Sequence, residues 1–505
     1  MGITRMKKNK NRQRQTLIGA ILFTVGSSTG WAETKFTVTA DVGASWVDNI
    51  DLVSDDETKL SDYIFQVTPG FIWEQTGERL SSSAVYTMQN YFYAEDTDRN
   101  ASYHQGSLEA TLAVVKDYFF IEADGNYTQQ LIDPSIASNN NLLFETLNVT
   151  DTLTAQVSPY FRHEFDYLLA DISYVRGIVR YDVPDEQTET LEDVDLTTSF
   201  AKFGSADDKA RLTWEARYEN QEALYEVSEP FRFESAIGEL GLLLGKTFRL
   251  LGGGGVESDI LVSTSDGGFD ESYWEAGFRW QPSGRSMVEA LYGEHSYGET
   301  YNVRVNHTAK LLQLTASYAE GPTTHAAESV LRPAAAVSVQ EAGLRPDVES
   351  DPQANLQGDQ PTNSINTDVY LRQDAEAKIA LVGQHTLIEL NAFDFKRTYI
   401  SGERNGAVEE TSGAGLAFSR DLTSRLKLDI GGSISYSTFD TPDPSLQPIA
   451  PTFAPYDYRD VEANIGFTET FSEKISASLT GNLLSRSGDI EYTAHWVTLL
   501  FIGKF

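Results

Sequence analysis

The chain has 505 residues and a formal net charge of −35, with 74 acidic side chains against 39 basic ones. This excess of negative charge argues against nucleic acid as a partner, because binding to phosphates requires Lys and Arg that displace counterions. Cysteine is absent, which excludes a disulfide framework, a cysteine-ligated zinc site and a thiol nucleophile.

Residues 1–32 have the organisation of a cleaved signal peptide. Six basic side chains precede the apolar run LIGAILFTVG, and small residues at Gly30 and Ala32 predict cleavage before Glu33. Removing six positive charges and no negative one takes the net charge to −41. We therefore predict export from a bacterial cytoplasm and a mature chain of residues 33–505.

From residue 33 on, apolar and polar residues alternate, which is the period of a β-strand. The segment TKFTVTADVGASWV (34–47) alternates throughout, and RLTWEARYE (211–219) and SYWEAGFRW (272–280) carry charged residues on the polar face. Such strands suit a barrel with lipid outside and water inside. An alternative for these charges is that they pair across neighbouring strands and only stabilise the wall. The candidate lumen-lining residues are Arg211, Glu215, Arg217, Glu219, Glu275 and Arg279.

Short turns and long polar loops alternate along the chain. Turns such as TGER (76–79) and PSGR (282–285) lie between loops such as 48–60 and 440–455. A transmembrane barrel has this asymmetry because its periplasmic connections are short and its extracellular ones long. We predict that residues 33–505 form an all-β transmembrane antiparallel β-barrel in a Gram-negative outer membrane. Strand ends are hard to place, so the expected number is about 22 strands, within roughly 18 to 24. The competing fold is a large periplasmic or secreted β-sandwich.

Two kinds of loop leave alternatives open. DNIDLVSDDE (48–57) and EDTDRN (95–100) concentrate carboxylates that are either solvated or bind Ca²⁺, although their spacing does not match an EF-hand. Residues 321–365 are rich in Ala, Pro, Gln and Asp, which predicts a long irregular extracellular loop. The alternative is a lid folded back across the pore. No other cofactor is expected.

The chain closes on WVTLLFIGKF (496–505), an alternating strand whose last residue is aromatic. This stretch resembles the β-signal that the barrel-assembly machinery recognises at the end of outer-membrane proteins. Gly503 departs from the pattern, which usually has an aromatic residue there. The residues of this proposed assembly signal are Val497, Leu499, Phe501 and Phe505. We expect outer-membrane lipid, lipopolysaccharide and that machinery as partners.

Sequence features that suggest catalysis are weak. His295 and Ser296 are adjacent, but neighbours on a strand point to opposite faces, so they do not form a nucleophile–base pair. GLLLGKT (241–247) lacks the glycine spacing of a phosphate-binding loop, and GGGG (252–255) lacks the lysine. We therefore predict that the protein is not an enzyme.

A family resemblance covers nearly the whole mature chain. The segments ASWVDNIDL (44–52), VTPGF (67–71) and YTMQNYFYAEDTDRN (86–100) resemble the opening strands of outer-membrane proteins associated with exosortase (PEP-CTERM) systems, which are porin-like barrels. SPYFRHEF (158–165) and DVYLRQDAEAKIAL (368–381) are similar to later blocks. The resemblance implies a barrel encoded near exopolysaccharide biosynthesis and protein-sorting machinery, and it carries over no catalytic residues.

These observations lead to two functional hypotheses. The first is a porin-like channel or export conduit for hydrophilic solute, linked to exopolysaccharide export and exosortase sorting, with export components as partners. The second is a non-conducting structural or docking barrel that holds surface polymer or a partner protein.

Overall fold

The computed structural model describes residues 33–132, 142–144, 149–182, 191–207, 209–260, 268–331, 365–402, 404–440 and 455–505. The predicted signal peptide (1–32) and most of the predicted loop 321–365 lie outside these residues. No helix among the residues described is both long and apolar enough to cross a membrane.

The described chain folds into one sheet of 22 strands, as the sequence predicts. The strands are 10 to 17 residues long. The strands are β1 (Glu33–Val47), β2 (Asp62–Thr76), β3 (Leu80–Tyr93), β4 (Ala101–Val115), β5 (Phe119–Leu131), β6 (Val149–Glu164), β7 (Leu168–Asp182), β8 (Val194–Ser205), β9 (Leu212–Tyr225), β10 (Phe231–Leu244), β11 (Phe248–Glu257), β12 (Glu271–Ser283), β13 (Ser286–His295), β14 (Gly298–Thr308), β15 (Leu312–Thr324), β16 (Val369–Val382), β17 (Thr386–Tyr399), β18 (Val408–Asp421), β19 (Leu426–Asp440), β20 (Tyr456–Ser472), β21 (Ile475–Gly488) and β22 (Tyr492–Lys504).

The sheet is antiparallel throughout and closes on itself. Each strand pairs with the next one along the chain, and β1 also pairs with β22, from Thr39 opposite Lys504 to Val47 opposite Trp496. Beyond this ladder, Phe505 N–H donates to Val38 O at 2.9 Å, and Val38 N–H donates to Phe505 O at 3.2 Å. Closure leaves no sheet edge with unpaired backbone groups, which a structure surrounded by lipid requires.

The connections separate into two rims. Short turns, such as those between β2 and β3 and between β20 and β21, lie on the rim where β1 begins and β22 ends. The long connections, such as 48–61 and 325–368, lie on the opposite rim. We call the rim with the short turns the inner end and the other rim the outer end. The outer end also has a one-turn 3₁₀ helix, Thr97–Arg99.

The described residues also include one α-helix. α1 (His325–Leu331) directly follows β15 and packs against β6, β7 and β8, which lie far away along the sheet. An element attached to β15 can reach those strands only through the interior of a closed barrel. The helix therefore lies inside the barrel at its outer end, and the sheet face that it touches is the inward face.

The predicted irregular loop differs from the structure at its start. Gly321 still belongs to β15, which runs to Thr324, and an ordered helix follows at His325. β9 likewise continues through the polar residues 219–222 to Tyr225. The strands of this barrel extend beyond the zone where their outward residues are apolar. Their ends are therefore polar and resemble loops in sequence.

Candidate functional site

The inward face of β9 is identified by its contact with α1. Ala223 of β9 is fully buried in an apolar cluster that also contains Ala327 and Val330 of the helix. Every second residue of a strand shares a face, so Glu219, Arg217 and Glu215 point inward with Ala223. The opposite face is apolar and exposed, with Leu212 at 61% and Trp214 at 45%.

The structure places the other predicted lumen residues at two levels. Glu275 and Arg279 of β12 share the inward face, because Glu275 lies opposite Gly253 of β11 and Gly253 lies opposite Glu239 of β10. Arg211 lies outside the strands, in the turn before β9, where its carbonyl accepts a hydrogen bond from the Leu243 N–H at 2.8 Å. It belongs to the inner rim rather than to the barrel wall. Contact of any of these residues with solute stays a prediction.

The inward charges pair with partners that the sequence prediction did not name. Lys202 Nζ of β8 lies 2.6 Å from the Glu215 carboxylate. Arg279 of β12 pairs with Glu289, its direct cross-strand neighbour on β13. Lys202 and Glu289 lie on the polar faces of alternating segments. The alternation in sequence identifies them as polar-face residues, and the strand register is needed to identify them as partners. The pairing supports the alternative in which part of this charge stabilises the wall.

His295, at the outer end of β13, lies between two carboxylates. Its Nδ1 is 2.8 Å from Glu257 Oε2, and its Nε2 is 3.4 Å from Glu275 Oε1. Its ring stacks between Tyr273 and Tyr297, with centroid distances of 4.3 and 5.0 Å. The neighbouring Ser296 hydroxyl donates instead to the Ser258 carbonyl at 3.1 Å. His295 and Ser296 therefore have separate partners, and this geometry is not that of an activated nucleophile.

The two glycine motifs belong to the wall. Gly245 (φ 74°) lies in the turn between β10 and β11, where a positive φ favours glycine. Residues 252–255 lie within β11, and a Cβ on Gly255 would lie 2.2 Å from the Ala236 carbonyl oxygen. Close approach of strands therefore accounts for a glycine at that position.

Three carboxylates of the acidic outer loops pair with basic residues of those loops. Arg99 pairs with both Asp51 and Asp96, and Lys59 Nζ lies 2.7 Å from Asp55 Oδ1. Among the described residues there is no group of three or more His, Cys, Asp or Glu side chains that could hold a metal ion. Calcium binding in these loops stays an untested alternative.

Apolar contacts hold α1 in the barrel. Val330 is 2% exposed, and its Cγ1 lies 2.5 Å from where a Cβ on Gly177 of β7 would be. This close approach is possible because position 177 has no side chain. The cluster around the helix consists of Ala326, Ala327 and Val330 with Val179, Leu196, Ala223, Phe231, Ile260 and Val369, among others.

Ionic contacts hold the other side of α1 to β16 and β17. Glu328 Oε1 lies 3.0 Å from Arg372 Nη1, and Glu328 Oε2 lies 3.3 Å from Arg397 Nη2. The Tyr370 hydroxyl donates to Glu328 Oε2 at 2.7 Å. Burial alone would raise the pKa of Glu328, but Arg397 and Arg372 outweigh burial and hold that pKa below its ordinary value. Burial lowers the pKa of His325, the first residue of the helix, to about 4. The helix is thus fixed on two sides of the lumen.

A second apolar cluster narrows the outer end near the β1–β22 seam. Phe144 lies edge-on to Trp496, with ring centroids 5.3 Å apart, and Tyr93 donates a hydrogen bond to the Leu143 carbonyl at 3.1 Å. Phe144 and Leu143 belong to the connection between β5 and β6. They reach strands on the other side of β1, so this connection also folds over the lumen.

A closed antiparallel sheet with an apolar outer face and asymmetric rims defines the protein as a β-barrel of the Gram-negative outer membrane. No family model and no curated protein matches the chain.

Solved structures to which the chain is similar are outer-membrane proteins. A mutant of the ferric enterobactin receptor PfeA from Pseudomonas aeruginosa is 11% identical, covers 94% of this chain and 81% of its own, and has a TM-score of 0.47. The FrpB iron transporter from Neisseria meningitidis is 10% identical over 95% of this chain and 82% of its own, with a TM-score of 0.47. OmpT, an outer membrane protein of Vibrio cholerae, is 9% identical over 95% and 100%, with a TM-score of 0.29. At these values the likeness carries no information on function.

Proposed function

We propose that the protein is a porin-like channel or export conduit for hydrophilic solute, closed at its outer end by α1. The polar inward face of the strands carries this proposal. On β19, β20 and β21 the residues in register on that face include Ser433 opposite Glu462, and Asn464 opposite Asn482. A wall of hydroxyls, amides and carboxylates is suited to water. A barrel of this strand number has a wide lumen that is either open or filled by its own segments.

The test compares two substitutions in adjacent residues of α1. Val330→Asp places a charge in the apolar cluster and should expel the helix, because an unpaired buried charge is strongly unfavourable. Leu331→Asp places the same charge at a position that is 44% exposed and should leave the helix in place. In planar bilayers we expect low conductance for the wild-type protein and for Leu331→Asp, and larger openings for Val330→Asp.

The competing function is a non-conducting docking barrel. It is favoured by one observation, namely that two apolar clusters and α1 narrow the outer end. If folded Val330→Asp protein is as silent as wild type, the channel proposal is wrong and docking becomes the better account.

The proposed partners include lipopolysaccharide, and outward-facing charges near the outer end support this. Arg176 of β7 pairs with Asp195 of β8 at 2.7 Å, and Arg232 of β10 pairs with Glu222 of β9 at 2.6 Å. These charges lie on the outward face and are half-exposed, at a level suited to lipid headgroups. Replacing both arginines with Gln should weaken co-purification of lipopolysaccharide, which phosphate analysis of the purified protein would measure.

The link to exopolysaccharide export and exosortase sorting rests on the resemblance of the segments 44–52, 67–71 and 86–100. Deletion of the gene should reduce cell-surface polymer or sorted protein, and expression of the wild-type protein should restore it. Unchanged polymer and unchanged sorted protein in the deletion strain would remove this part of the proposal.

A further inference from the structure

The carboxylate of Glu328 is bound by the barrel wall in the way that proteins bind a carboxylate ligand. Two guanidinium groups and one hydroxyl contact its two oxygens, at 3.0 Å from Arg372, 3.3 Å from Arg397 and 2.7 Å from Tyr370. Charge-assisted contacts from two arginines are among the strongest for carboxylate recognition. All three donors belong to the inward faces of two adjacent strands, whereas the acceptor belongs to the short helix.

The donors are held by the wall itself. Arg372 pairs with Asp374 on its own strand, and Arg397 Nη1 lies 3.9 Å from Glu409 of β18. The Arg397 guanidinium also stacks over the Tyr370 ring at 5.3 Å. These contacts do not involve α1, so the donors keep their positions when the helix is absent.

The register brings two arginines together at this place. Arg372 and Arg397 lie directly opposite each other on β16 and β17. Like charges in directly opposed positions repel. Asp374 and Glu409 each offset part of this cost for one arginine, and an anion that contacts both arginines offsets it further. In the closed barrel Glu328 supplies this anion. It is also the member of the group that leaves if the helix moves.

We propose that Arg372, Arg397 and Tyr370 form a binding site for solutes that carry a carboxylate, and that Glu328 occupies this site when the barrel is closed. A solute carboxylate competes with Glu328 for the same donors, so its arrival favours release of α1. This inference deepens the proposed function by naming the class of solute, and its tests do not measure conduction.

The first test asks whether the site binds a free carboxylate. Glu328→Ala leaves a gap of the size of acetate between the three donors. In detergent, acetate should raise the Tm of Glu328→Ala and leave wild type unchanged, while neutral acetamide should affect neither. The double variant Glu328→Ala/Arg397→Gln should lose the response. A folded Glu328→Ala protein whose Tm does not respond to acetate would overturn the proposal.

The second test asks whether a solute displaces Glu328 in the otherwise native protein. The chain has no cysteine, so Ser329→Cys reports the exposure of a position that is buried in α1. Glucuronate should accelerate its labelling by a thiol reagent several-fold, and glucose should not. The exposed control Ser487→Cys should be labelled equally in both sugars.

The outcomes of the two tests separate the possibilities. Acetate binding to Glu328→Ala without any effect of glucuronate on Ser329→Cys would show that Glu328 is only a structural tie, which also overturns the proposal. If the protein passes both tests but its folded Val330→Asp variant does not conduct, the carboxylate site stands and the channel proposal is wrong.

Discussion

Gly177 determines how closely α1 approaches the wall. A Cβ at this position would lie 2.5 Å from Val330 Cγ1 and 3.2 Å from Val330 Cγ2, and a branched side chain cannot easily turn away. Gly177→Ala should therefore push the helix out, with overpacking that costs about 1–3 kcal/mol. We expect faster labelling of Ser329→Cys in that background.

The matched control for this prediction is the double variant Gly177→Ala/Val330→Ala, which adds one methyl group to the wall and removes from the helix the two that it would meet. It should restore slow labelling. Equal labelling rates in wild type, Gly177→Ala and the double variant would mean that this contact does not position the helix.

Phe505 contributes both a side chain and two backbone hydrogen bonds to the seam, through Val38. Its side chain is 69% exposed and lies on the lipid side with Phe501. If the assembly machinery recognises the aromatic group, deletion of Phe505 and Phe505→Ala should both reduce the folded barrel seen as heat-modifiable mobility on gels.

The comparison of these two variants separates recognition of the aromatic ring from the backbone hydrogen bonds with Val38, because Phe505→Ala removes the ring and keeps the backbone. A normal amount of folded Phe505→Ala protein would refute the recognition hypothesis. Gly503→Tyr should assemble normally, since a Cβ there meets mainly the movable Phe505 ring at 3.0 Å.

At the scale of the element, α1 depends on two groups whose pKa values are lowered in the closed state. His325 is buried and neutral, and the charged groups that influence it are Glu328, Arg397, Glu409 and Arg404. A lowered pKa means that the open state binds protons more readily than the closed state. Closure is therefore fully stable above the ordinary His pKa of 6.5 and weakens as the pH falls towards about 4.

The predicted effect is substantial. A shift of this size corresponds to about 3 kcal/mol between pH 7 and pH 4, and protonation of Glu328 adds to it at the acid end. Labelling of Ser329→Cys with a reagent that reacts at acid pH should accelerate over this range, relative to Ser487→Cys. His325→Gln should remove the part of the response between pH 6.5 and 4. A labelling ratio independent of pH would contradict the account.

Sequence reasoning predicted the strands because alternation is a local property. The strand number and the separation into short turns and long loops follow from the period and from connection length, both of which can be read along the chain. The helix was not predicted. HAAESVL (325–331) occurs in a segment whose composition suggests disorder, and its stability comes from Gly177, Arg372 and Arg397, which are distant in sequence. Only the three-dimensional structure shows that these residues meet the helix.

The same limit applies to the candidate site. Alternation was sufficient to assign Glu215 and Glu219 to a polar face, but not to find the partner of Glu215. Lys202 belongs to another strand, and its position opposite Arg217 depends on the register of β8 with β9. The sequence prediction places Arg211 in the barrel wall, which is wrong because β9 begins at Leu212. The alternation of apolar and polar residues does not show where a strand begins.

At the scale of the whole molecule, we expect the inward charges to determine which ions pass if the barrel opens. Glu215→Lys with Glu219→Lys, in the Val330→Asp background, should shift the selectivity towards anions if these residues line the path. The reversal also places a lysine beside Lys202, which should lower the stability of the wall. Reversal potentials in a salt gradient measure the selectivity.

The control exchanges the pair and keeps its charge. Lys202→Glu with Glu215→Lys preserves the contact between β8 and β9, so selectivity and heat stability should both stay close to those of the background. A conducting protein whose selectivity does not change with the double lysine variant would show that these residues do not line the path.

The seam between β1 and β22 has a consequence for the time course of biogenesis. It joins parts of the chain such as Ser45 and Thr498, whose hydroxyls lie 2.8 Å apart although the residues are 453 positions apart in sequence. Contacts between such distant residues slow folding, because a long loop must close before they form. One edge of β1 therefore stays unpaired until β22 forms. During that interval this edge of β1 favours aggregation, while its other edge pairs with β2. We therefore expect the chain to need protection from aggregation until the seam closes.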